Sequence, residues 1–426
     1  MRVINKLHWR CFVKPEVLFL AGAVQANLPY LLWRFGYPVS RAYRFNITYM
    51  PLYLWILGYL AFCLGTGYVS FCLCKKVYGS NSVTLFRIHQ GNYRFCVFSV
   101  IVVLLIQVFF VCRLYGVLPI LAFFSGYDVG ILNATQRSSG FGQLGLLTLM
   151  CFTLNALILI GIVSSIKATG WNRRLLWMAI IVAAFGSLFS GKTQGFFILC
   201  CMLFTGTALT GANPINVFIK KIGFREISNK KTIITIACLF LILVLLHGFT
   251  RFLRVGRYEE FSVKSSFDTV VAYLSTPLIN MENQLAISDL SGTQPAVYGL
   301  LYRLLPYKMQ KSFIAEHGIT PIPQLERTSP SGFLSELHWY LGLWGMMISL
   351  FVIGVVCKCI YVQSRKSLFC VLAYSQIAWA LVAAHSYNHF LNLLFIPAPL
   401  IMFFIISEVV QPKQVRSMDL SIARRM

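Results

Sequence analysis

Ten runs of apolar residues, each close to the length of a membrane-crossing helix, dominate this chain: 17–33, 50–73, 95–112, 144–166, 175–190, 196–210, 232–249, 334–356, 367–384 and 390–408. A helix needs roughly 20 such residues to cross the ~30 Å hydrocarbon core, where every backbone polar group must be satisfied within the segment. Charged residues make up 12% of the chain, about half the share of a soluble protein. The expected fold is all-α: a polytopic membrane protein of about ten transmembrane helices (range about 9–12). The segment 117–124, VLPILAFF, is too short to cross.

An even number of crossings puts both termini on one side. With that side cytoplasmic, 23 of the 37 Lys and Arg residues fall on its loops, the KKIGFREISNKK stretch (220–231) among them, as the positive-inside tendency requires. The same tendency accounts for the net charge of +24 without nucleic acid as a partner. The basic start MRVINKLHWRCFVK reads as the cytoplasmic entry to the first helix rather than a cleaved signal peptide. The 13 cysteines lie in or beside apolar runs, and no histidine pair completes the C-x-C spacings at Cys72/Cys74 and Cys357/Cys359. They read as small apolar filler, with no metal or cofactor expected.

Three parts follow: 1–249 with seven helices, an outer loop at 250–333, and 334–426 with three more helices and a tail. The loop holds apolar stretches too short to cross, FDTVVAYLSTPLI (267–279) and VYGLLYRLLPY (297–307). The second places Val297, Leu300, Leu301, Leu304 and Leu305 on one helical face, the pattern of an interfacial helix. A loop of this size can roof a cavity.

Orientation rules leave unexplained the basic residues at outer helix ends: Arg113, Arg137, Lys192, and Arg251, Arg254 and Arg257. Two readings stand side by side. They snorkel to anionic headgroups, or they hold a phosphorylated ligand, for which Arg forks are suited. GSLFSGKT (186–193) has the spacing of a phosphate-cradling nucleotide loop, but it caps an apolar helix on the outer face, which argues against a nucleotide. Its flanking runs are short, so the tip GKTQG (191–195) is expected below the surface, making Lys192 a functional candidate.

SGFLSELHWYLGLWG (331–345) opens the eighth helix. Glu336 and His338 there can each take a proton near neutrality. Two residues apart, they point about 200° from one another on a helix, so at most one faces a given cavity, and Glu336 is favoured. As a first-turn acid Glu336 also has a purely electrostatic explanation. In AHSYNHFLN (384–392), His385 and His389 stand one turn apart. They suit hydrogen bonds to sugar or phosphate, or an interfacial role, better than a metal, because no acid lies between them.

Taken together, the chain resembles the bacterial oligosaccharide repeat-unit polymerases, the O-antigen polymerase family. The resemblance lies in the overall layout and in SLFSGKTQGFFIL, VVAYLSTPLINME (270–282) and SGFLSELHWYLGLWG. It implies an inner-membrane enzyme, both termini cytoplasmic, that transfers a growing glycan from undecaprenyl diphosphate onto a lipid-linked repeat unit at the periplasmic face. On that basis Lys192, Arg137, Arg251, Arg254 and Arg257 bind the diphosphate. Glu336, His338 and Arg254 are catalytic, and Gln194, Tyr273, His385 and His389 contact glycan. Membrane lipids and a chain-length regulator protein are the further partners implied. The alternatives are an O-antigen ligase that passes the glycan to lipid A–core, and a transporter of lipid-linked oligosaccharide or polysaccharide.

Overall fold

The computed structural model describes residues 9–36, 49–72, 85–115, 142–164, 166, 170–189, 194–211, 213–222, 225–255, 262–287, 300, 305, 307–319, 332–384 and 397–410. A short 3-10 helix, Trp9–Val13, leads into α1 (Pro15–Arg34) and α2 (Met50–Phe71). Then come α3 (Gln90–Tyr115), α4 (Gly142–Val163), α5 (Trp171–Phe189), α6 (Gln194–Leu209) and α7 (Pro214–Ile222). Next are α8 (Asn229–Val255), α9 (Val263–Ile287), α10 (Tyr307–Glu316), α11 (Phe333–Gln363), α12 (Leu368–Val382) and α13 (Pro397–Ile406).

Each of the ten apolar runs contains one of these helices. Among the described residues, four helices are long and apolar enough to cross a membrane: Met50–Phe71, Gln90–Phe109, Asn229–Leu246 and Phe333–Gln363. The pair Phe196–Leu209 and Pro214–Lys221, bent by 103°, makes a fifth if taken as one span. The chain is therefore an α-helical membrane protein, and ten crossings is a finer count than its helix lengths carry. The physical reason is length and polarity. Over the residues with described side chains, apolar helix in α4 and α12 covers Leu149–Val163 and Leu368–Val382, and α13 gives way to strand after Ile406.

The surface pattern is inverted relative to a water-soluble bundle. Along α2 the large apolar residues Tyr53, Ile56, Leu60 and Leu64 face outward, and along α11 so do Trp344, Ile348, Val352 and Val356. Such one-turn spacing draws an apolar stripe down the outside of each helix, which is stable only against lipid or another apolar surface.

Two apolar cores meet inside. One is built from α1, α2, α11 and α12, with Phe19, Phe62, Leu350 and Tyr374 fully buried. The other joins α3, α4, α5 and α13, and α6 and α12 contribute to both. Residues 151–162 of α4 are buried on every side, so α4 is the central helix of its half.

In lipid, helices associate by close packing rather than by apolar burial, so small residues mark the tightest contacts. The α2–α11 interface is of this kind. A Cβ on Gly65 would collide with the Phe351 carbonyl, and one on Gly354 with the Phe62 carbonyl. Gly22 of α1 lies as closely against α12, where a Cβ would come 2.6 Å from the Leu381 carbonyl oxygen.

One end of the bundle is tied by polar contacts between segments far apart in sequence. The Arg10 guanidinium donates to the Leu209 and Tyr361 carbonyls at 2.7 and 2.9 Å and to Ser364 Oγ at 2.9 Å. Leu209 is the last residue of α6 and Tyr361 lies in the last turn of α11, so Arg10 satisfies helix-end carbonyls that have no intrahelical donor. Burial pushes the Arg10 pKa down from its ordinary value. Lys221 Nζ donates to the Ser164 and Ile166 carbonyls at 2.9 and 2.7 Å. Arg94 Nε donates to Asn172 Oδ1 at 2.6 Å, and Lys358 pairs with Glu16 at 2.7 Å.

The same end carries a feature absent from the all-α expectation, a two-stranded antiparallel sheet of β1 (Leu85–Ile88) and β2 (Ser407–Val410), with Arg87 in register with Glu408. These contacts bring together described parts of the segments that the charge count assigns to one face: 9–16, 85–94, 170–174, 213–222, 225–231, 357–366 and 409–410. We call this the basic end.

The presumed outer loop also differs from expectation. Its first apolar stretch is part of α9, a 25-residue helix with Pro277 inside. α9 packs along α1 and α8 rather than lying on a surface. The interfacial helix expected at 297–307 falls mostly outside the described residues.

Candidate active site

α11 is not one straight rod. At Gly342 the backbone takes φ 65°, ψ −176°, a conformation open only to glycine. The break folds the first segment back. Leu334 and Leu350 would stand about 24 Å apart along a straight helix, yet each lies 3.0 Å from where a Cβ on Gly58 would be. Residues 333–341 therefore run out to the turn at Gly342, and the chain returns inward towards the basic end. Irregular backbone at membrane depth is tolerated only where it is buried in protein or lines water.

This reversed segment is enclosed and carries ionisable side chains. Every residue from Gly332 to Tyr340 is buried, including Ser335, Glu336 and His338 at 2%, 0% and 1% exposure. Its start is fixed by Phe333 N, which donates to the Ala384 carbonyl at the end of α12 at 2.9 Å. Its other end packs, through Trp339, Tyr340 and Leu341, against Ile319 and against Phe313 and Ile314 of α10. Phe313 and Ile314 of α10 thus pack on this end of the segment. Because the segment is enclosed all round, burial does not rank Glu336 above His338. Both are held inside protein, where an ionisable group is expensive and marks function by default.

Gly342→Ala is expected to strain the turn by about 1–3 kcal/mol. The thermal midpoint of the purified protein should fall.

Glu336 and His338 are the members of the sequence-derived set whose side chains are described. Arg251 and Arg254 are in the last turn of α8, Tyr273 is within α9 and Gln194 begins α6, each placed by its backbone. Lys192, Arg137, Arg257, His385 and His389 lie outside the described residues. Among the described residues no three His, Cys, Asp or Glu side chains group as metal ligands.

Sequence reasoning passed over the buried polar turn of α9, with Asn280, Glu282 and Gln284 at 0%, 5% and 1% exposure. Met281 and Leu285, on either side of Glu282, belong to the same core as Phe333, Leu334 and Leu337. α9 and α11 are in contact. The signal was present in the sequence as NMENQ directly after an apolar stretch, a polar cluster where a membrane helix is expected to be apolar.

Comparison with protein-family models, curated proteins and solved structures finds no match to this chain. The fold defines the class, an α-helical membrane protein with a buried polar segment at the start of α11.

Proposed function

We propose that the protein is a glycosyltransferase that polymerises undecaprenyl-diphosphate-linked oligosaccharide repeat units. The reaction takes place at the periplasmic face of the bacterial inner membrane, with both termini cytoplasmic. The observation that carries this reading is the reversed segment 333–341, which holds Glu336 and His338 inside protein at the end of the bundle away from the basic end.

A hydroxyl of the acceptor sugar attacks the anomeric carbon of the donor glycan. The new C–O bond forms as the bond from that carbon to the phosphate oxygen breaks, and undecaprenyl diphosphate leaves with the electron pair. Glu336 takes the hydroxyl proton; His338 is the alternative acceptor. Negative charge grows on the diphosphate, and fixed cations aimed there lower the barrier. Arg251 and Arg254 end α8 at the point where the chain turns towards α9, which suits that task, and Lys192, Arg137 and Arg257 complete the basic set. A transporter reading fits less well, since polar side chains throughout the membrane depth and repeated halves are its usual marks.

The test is to incubate purified protein in detergent with lipid-linked repeat units alone. Stepwise extension supports the polymerase. No reaction until lipid A–core is added would replace it with a ligase, and no reaction with either acceptor would remove the glycosyltransferase reading.

A further inference from the structure

We propose that Glu282 is a second carboxylate of this site, and that with Asn280 and Gln284 it holds hydroxyls of the acceptor sugar beside Glu336, a role resting on the glycosyl-transfer reading above. Among the described residues Glu282 and Glu336 are the two buried carboxylates. Each interrupts a stretch otherwise bracketed by one apolar core: Met281 and Leu285 around Glu282, Leu334 and Leu337 around Glu336. The two helices that carry them touch.

Asn280, Met281, Glu282 and Gln284 span roughly 200° of a helix circumference, and all four are buried. This face of α9 is therefore turned into the bundle, against the core that also holds Phe333, Leu334 and Leu337. Each helix also carries a residue unsuited to regular helix nearby. Gly342 leaves helical geometry, and Pro277 has no N–H to give the Tyr273 carbonyl. Two buried polar stretches on helices that touch, both set in one apolar core, need a shared reason, and water-lined or ligand-lined space supplies one.

The chemistry of the set selects the ligand. A carboxylate only accepts hydrogen bonds, while an amide both donates and accepts, so Asn, Glu and Gln together match the neighbouring hydroxyls of a sugar ring. The same carboxylates repel a diphosphate. The site therefore divides: basic residues at the end of α8 on the phosphate side, the acidic and amide turn of α9 on the sugar side.

Two measurements on the full-length protein decide the matter. In an E282C/E336C variant, a short bifunctional thiol reagent is expected to give a cross-linked peptide containing both positions, detected by mass spectrometry. Single modification at each position without that peptide would overturn the shared site. In repeat-unit extension, E282Q is expected to raise the acceptor KM about tenfold or more, the loss of a charged hydrogen-bond partner, with kcat within about threefold. A KM equal to wild type would overturn the sugar-binding role. Should the wild-type protein extend nothing, the glycosyltransferase reading fails, while the cross-link still reports whether the two carboxylates share one site.

Discussion

Glu336→Gln is expected to reduce repeat-unit extension by about 10²–10⁴, the span that a positioned acid or base contributes, with folded protein obtained in wild-type yield. Glutamine keeps the shape and hydrogen-bonding capacity of the side chain and removes its ability to take a proton, and in a fully enclosed segment shape is what packing reads. The companion variant His338→Gln separates the two candidates. If Glu336 is the proton acceptor, H338Q retains more activity than E336Q; the reverse order would move the role to His338. Extension at the wild-type rate in both variants would remove the reversed segment from the chemistry.

The largest effect on stability is expected at the α2–α11 contact. Gly65→Ala places a methyl against the Phe351 carbonyl. Backbone cannot step aside as a side chain can, so the two helices must separate. Overpacking costs about 1–3 kcal/mol, and here the separated helices also lose the close contact that holds them together in lipid. Gly67, two residues along the same helix, has nothing within 4 Å of its would-be Cβ. Gly67→Ala is therefore the matched control. In detergent, the thermal midpoint of G65A should fall well below wild type while that of G67A stays level. Equal midpoints would mean that α2 and α11 do not approach as closely as described.

The apolar runs were legible because length and hydropathy follow directly from the thickness of the bilayer, and each of them does contain a helix. The grouping of loops was legible too. The count of Lys and Arg collected the segments that Arg10, Lys221, Arg94 and the β1–β2 pairing bring to one end.

The reversal at Gly342 was not legible, because YLGLWG reads as uninterrupted apolar helix and an isolated glycine is tolerated there. What turns the chain is packing: Leu334 and Leu350 both close on Gly58. Nor was α9, since NMENQ looks like the polar end of a loop. Its neighbours α1 and α8 keep it helical and buried, and tertiary contact overrides the local pattern. Strands of four residues such as LFRI and SEVV are too short to show alternation above chance. Glu336 was found because acids are scarce in this chain. Glu282 is just as scarce and lies inside the VVAYLSTPLINME stretch, but only its burial beside α11 distinguishes it.

The measurement that bears most directly on the central claim is sidedness. Ser262, at the entry to α9, and Lys230, at the basic end, are both exposed. Ser262→Cys should react in intact cells with a membrane-impermeant thiol reagent, and Lys230→Cys only after lysis, each mapped by peptide mass. The opposite pattern, Lys230→Cys labelled from outside and Ser262→Cys only from within, would put α9, α10 and the reversed segment on the cytoplasmic side and contradict a periplasmic glycosyl transfer.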